Sequence, residues 1–146
     1  MILARCVLAC VLTMQTPLTE SATGAKPKSL AQLITAARKG DHSAAEEIAN
    51  YVRRIDIANV DDSSLQDIAS LLESSDGTVR LWAAGAIGHF GSRATPFAPR
   101  LQEMVSEESC NMTGISAADT AHFALKRMGI EPQPFGCAQR PEQPMK

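Results

Sequence analysis

Leu65-Gln66-Asp67-Ile68-Ala69-Ser70 and Leu101-Gln102-Glu103-Met104-Val105-Ser106 match at every position, identically or conservatively. They stand 36 residues apart. In each, the apolar residues fall at i, i+3 and i+4, the stripe of an amphipathic helix rather than the alternation of a strand. Downstream, Ala83, Ala86, Ile87 and Gly91 correspond to Ala121, Ala124, Leu125 and Gly129 at an offset of 38, so the turn around Cys110 to Ile115 holds a short insertion. Upstream, Leu30, Asp41, Ile48 and Val52 correspond more loosely to Leu65, Asp76, Ala83 and Ile87. A helical unit of this length cannot bury its apolar face alone, so successive units must stack.

Start and stop signals around these stripes predict six helices in three pairs. Ser29 caps helix one, Leu33, Ile34 and Ala37 continue the stripe begun at Leu30, and Gly40 ends it. Helix two opens at Asp41, with Ser43 and Glu46 spaced as a capping box, and buries Ile48, Tyr51, Val52 and Ile55. Helix three follows Asp61-Asp62 and stops at Ser74-Ser75; helix four follows Asp76-Gly77 and stops at Gly91. Helix five begins near Thr95-Pro96, where a first turn tolerates Pro96 and Pro99. Helix six begins at Ser116, with Asp119 three residues on, and ends at Gly129. Pro132, Pro134, Pro141 and Pro144 then forbid helix, which predicts an extended, mobile tail over 131–146 tied down at Cys137.

The stretch from Leu71 to Gly91, LLESSDGTVRLWAAGAIGHFG, resembles a HEAT repeat: an aspartate turn at Asp76, the pair Val79-Arg80, small residues, then a glycine stop. Pro99 and Leu101 match the helix that follows in that family, so the likeness covers residues 65 to 107 best. The last repeat departs from it, with Ala117-Ala118 where Val-Arg would stand. The resemblance implies a short all-α solenoid of about three stacked hairpins over residues 26–130, acting as a protein-binding scaffold.

Composition agrees with that class. The 146 residues carry 14 basic and 16 acidic side chains, a net charge of −2, which argues against a nucleic-acid binder. An apolar fraction of 45% with 21% charged residues reads as globular. Trp82, Tyr51 and four phenylalanines are the only aromatics, and no β-branched run alternates, so an all-β fold is disfavoured.

Residues 1–25 read as a secretory signal: Arg5, the apolar run Cys6 to Met14, the break at Pro17, and small residues up to Ala25. The run is too short to span a bilayer, which takes about 20 residues. Export places the protein in a periplasm or outside the cell. Its removal leaves Cys110 and Cys137, most simply a disulfide in an oxidising compartment. The alternative is a nucleophilic Cys110 with His122 as its base.

Other chemistry is sparse. Gly85-Ala86-Ile87-Gly88-His89-Phe90-Gly91 has neither the dinucleotide nor the P-loop spacing, and its glycines read as helix packing and a cap. His42 and Glu46 share a helical face without a third ligand, so no metal or other cofactor is expected. Glu46-Glu47 and Glu107-Glu108 point about 100° apart as helix neighbours and read as solvated faces. Arg80 reads as a structural ion-pair partner of Asp76.

A surface remains. Trp82, Gly85 and His89 lie at i, i+3 and i+7 on helix four, aligned with Thr120, Phe123 and Arg127 on helix six and with Glu47, Asn50 and Arg54 on helix two. Second helices of stacked hairpins share one face, so Trp82, His89, Phe123, Arg127 and Arg54 form a candidate aromatic and basic binding patch. Packing of Trp82 and Phe123 between repeats is the alternative. The function expected is an exported, non-catalytic module binding another protein, of inhibitor or immunity type against a toxin or lytic enzyme. A general envelope scaffold and a homodimer using the same face are alternatives.

If Cys110 and Cys137 are joined, thiol titration of the exported protein finds no free thiol, and reduction lowers stability by roughly 3–4 kcal/mol in the chain-entropy model. Two alkylatable thiols would favour the cysteine-enzyme alternative.

Overall fold

The computed structural model describes residues 28–107 and 115–135. The expected signal segment, Cys110, Cys137 and most of the inserted turn lie outside the described residues. Among those described there are six α-helices and no strand: α1 (Leu30–Ala37), α2 (His42–Arg54), α3 (Asp62–Ala69), α4 (Gly77–Gly88), α5 (Ala98–Glu107) and α6 (Ala117–Arg127). Short 3-10 segments cover Ile57–Asn59, Ser70–Glu73 and Gly91–Phe97.

Local chemistry sets most of the boundaries. Ser29 and Ser116 each complete a capping box, with Gln32 and Asp119 respectively. Asp41, Asp61 and Asp76 cap α2, α3 and α4 by accepting backbone N–H bonds. The α2 cap is thus Asp41 itself, and the bond to Ala44 N takes the place of the expected Ser43–Glu46 box. Gly40, Gly91 and Gly129 follow helices with φ of 87°, 55° and 76°, in the left-handed region where a side chain would be strained. Helix five differs from expectation. Pro96 lies inside the 3-10 segment Gly91–Phe97, and the α-helix starts only at Ala98, with Pro99 in its first turn.

The caps carry charge as well as shape. Hydrogen bonds from Ser63 and Ser64 hold the Asp61 carboxyl down at about 2, against an ordinary 3.8. The His42 ring, 2.7 Å from Asp76, holds that carboxyl below its usual value too. Stability from both is therefore complete above about pH 4 and is lost as pH falls through the folded-state values.

α4 packs against α2 on one side and α6 on the other, while α1 lies against α2 and α3, and α5 against α6. One continuous apolar core joins all six helices, and among the described residues no charged or polar side chain is buried. Leucine, isoleucine and valine such as Leu33, Ile48, Ile68, Leu72, Val79 and Leu101 fill it. Alanines including Ala49, Ala83, Ala84, Ala121 and Ala124 stand in α2, α4 and α6, so these helices approach closely. Gly88 marks the tightest approach: a β-carbon there would sit 2.9 Å from both Cα and Cβ of Ala124.

Arginines tie together elements that are distant along the chain. Arg38 at the end of α1 bonds Asp67 and Ser70. Arg93 donates to the carbonyls of Ile57 and Val60 and to Asp62. Arg100 meets Glu73, Glu103 and Glu107. Burial alone would lower the Arg100 pKa, but Glu107 and its acidic neighbours outweigh it and raise the net value. Arg80 donates to the Ser74 and Ser75 carbonyls.

After α6, residues 131–135 form no helix, as Pro132 and Pro134 require, and they are held in place. Gln102 on α5 donates to Glu131 O and accepts from Gln133 N, standing in for a paired backbone strand. Ser106 bonds the Gln133 side chain, and Phe135 stacks on His122. The start of the tail is thus anchored by side chains upstream of Cys137.

Gly88→Ala should lower stability by about 1–3 kcal/mol, because α4 and α6 must separate around a backbone contact. Gly85→Ala should be neutral or stabilising by up to about 1 kcal/mol, since its β-carbon would lie 3.6 Å from Thr120 Cγ2 in ordinary contact. Urea unfolding of the two variants checks the contrast.

Candidate functional site

Ile48, Ala83 and Ala121 are equivalent buried positions of α2, α4 and α6, as are Val52, Ile87 and Leu125. The next residue in each helix is Arg53, Gly88 and Lys126, and the one after is Arg54, His89 and Arg127. The C-terminal ends of the three helices lie together, and between them opens a groove of ≈ 690 Å³. Its floor is the small stretch of α4 that holds Ala84, Gly85 and Gly88. Gly88 itself is buried against Ala124 of α6. Thr120, Phe123, Lys126 and Arg127 form the α6 wall, and Arg53 stands on the α2 side.

Three of the five expected patch residues meet here: His89, Phe123 and Arg127. Phe123 is 61% exposed, so it does not pack between repeats. Trp82 is half-buried against the core and does not line the groove. Arg54 turns back along its own helix, its Nε donating to Asn50 O at 3.0 Å, and the residue that faces His89 is Arg53. Neighbours on a helix differ by about 100° in direction, so a one-residue error in facing exchanges one arginine for the other. Arg53-Arg54 and Lys126-Arg127 occupy the last turns of α2 and α6, where the helix dipole favours cations. That paired pattern was the available signal for Arg53 and Lys126.

Arg127 Nη1 lies 3.2 Å from His89 Nδ1 and 3.0 Å from Nε2. Desolvation first, then the positive charges of Arg127 and Arg53, hold the imidazole below its ordinary value of 6.5. No carboxylate among the described residues lines the groove. Among the described residues none pairs with Arg53, Lys126 or Arg127. The chemistry available is therefore reception of negative charge beside an exposed aromatic ring.

The other candidates stand apart. His122 is engaged by aromatic rings, edge-on to Phe123 at 5.9 Å and stacked on Phe135 at 5.0 Å. Its suggested partner Cys110 lies outside the described residues. His42 bonds Asp76 across two helices. No group of three or more histidine, cysteine, aspartate or glutamate side chains converges among the described residues. Among them, too, no helix is long and apolar enough to cross a membrane.

Comparison with family models, with curated proteins and with solved structures finds no match to this chain.

In an NMR titration His89 should protonate below its ordinary 6.5, and Arg127→Gln should raise the midpoint by removing a neighbouring like charge. Because the folded-state value lies below the unfolded one, His89 makes stability rise with pH up to about 6.5 and fall away in acid. An unchanged midpoint in the variant would remove the electrostatic coupling.

Proposed function

We propose that this chain is a short HEAT-like stack of three helical hairpins that works without catalysis, binding another protein through the groove between α2, α4 and α6. Export to a periplasm or beyond, with Cys110 joined to Cys137, is part of the same reading. The role that suits a small, stapled, exported binder is of inhibitor or immunity type, covering the working surface of a toxin or lytic enzyme. A general envelope scaffold would use the same face.

The observation that carries the reading is Phe123, an exposed aromatic ring set in an open groove beside basic side chains that meet no carboxylate among the described residues. Aromatic and arginine residues concentrate binding energy at protein interfaces, because they combine large apolar area with directional donors. The packing order supports it as well. α4 sits between α2 and α6, so the three second helices present one shared surface.

The test is affinity capture from envelope extracts or from secretions of neighbouring strains, with the processed protein as bait. Phe123→Ala and Arg127→Glu should each abolish capture while leaving the melting temperature nearly unchanged, since both side chains are exposed. Trp82→Ala should instead lower stability by about 1–3 kcal/mol, because that ring packs on the core. Capture that survives both groove variants would overturn the assignment of this surface.

A further inference from the structure

We infer that the groove receives an acidic segment of its protein partner, carboxylate side chains interleaved with an apolar one. The inference rests on the protein-binding reading and adds the chemistry of the partner to it.

The arginines that join distant elements each end on a carboxylate: Arg38 on Asp67 at 2.7 Å, Arg93 on Asp62 at 2.7 Å, and Arg100 on Glu107 at 2.6 Å. The groove cations are treated differently. Arg53, Lys126 and Arg127 meet no carboxylate among the described residues, and Arg127 rests against a histidine instead. Helix C-termini supply only about half a negative charge each, less than the cations they attract here. Desolvation is the larger cause of the depressed His89 value, and the positive charges of Arg127 and Arg53 add to it.

Shape selects among anions. An apolar floor at Ala84 and Gly85 beside the exposed Phe123 ring offers contact to a side chain as well as to charge. Basic clusters of this kind recognise acidic motifs through charge-assisted hydrogen bonds. The net charge of −2 works against a long polyanion such as nucleic acid or an anionic bilayer, whose field extends past the groove. Screening over about 10 Å confines the attraction to a short segment. The sequence outside the described residues contains no acidic run, only the separate residues Glu20, Glu108 and Glu142.

The experiment titrates isotope-labelled full chain with three short synthetic peptides of equal length, in which leucine alternates with glutamate, serine or lysine. Only the glutamate peptide should shift the amide signals of His89, Thr120, Phe123 and Arg127, and added salt should weaken it. Arg53→Glu with Arg127→Glu should reduce its affinity by at least about tenfold. Arg53→Gln with Arg127→Gln serves the same purpose should the charge-reversed pair not fold. Binding of the serine or lysine peptide in the groove would overturn the acidic assignment and leave the protein-binding reading standing. No groove shift with any peptide also overturns the inference. Groove shifts confined to anionic vesicles or single-stranded DNA would overturn both.

Discussion

At the crossing of α4 and α6, Gly88 comes so close to Ala124 that no side chain fits between them. That contact sets the separation of two central helices, and with it the spacing of every residue that projects from their far ends. Interiors pack at close to crystal density, so a missing β-carbon at such a crossing has no substitute. The same residue borders the groove, and the corresponding positions in α2 and α6, Arg53 and Lys126, line it as well. One glycine therefore serves both the core and the candidate site.

Charge is deployed in two ways across the fold. On one set of contacts, Arg38, Arg93 and Arg100 bridge elements distant along the chain and are met by carboxylates or carbonyls. Such pairs are worth modest energy where exposed, but they hold register between elements about thirty residues apart. At the groove, basic side chains crowd around His89 without an acidic counterpart among the described residues. Protein surfaces leave like charges together at some cost in self-repulsion, and an incoming anion relieves that cost. The contrast within one small domain gives the groove its functional interest.

Much of the architecture could be read along the chain because its causes are local. Ser29, Asp41, Asp61, Asp76 and Ser116 cap helices through bonds to residues two or three positions away, and Gly40, Gly91 and Gly129 end helices through their own φ. Apolar stripes named the buried faces for the same reason, since a helix repeats every 3.6 residues whatever it packs against. Two local readings departed: Asp41 caps α2 in place of a Ser43–Glu46 box, and Pro96 lies in a 3-10 segment, with the α-helix beginning two residues later.

The amino-acid order thus specified an all-helical chain, its caps, its stops and the core side of each helix, all interactions spanning a few residues. Which neighbouring arginine faces His89, how deeply Trp82 packs, and how Gln102 fastens residues 131 and 133 depended on where one helix crosses another. A rotation of about 100° separates Arg53 from Arg54, and periodicity carries no information about the crossing that decides between them. Long-range placement arises from the simultaneous packing of several helices, and so it appears only in the folded molecule.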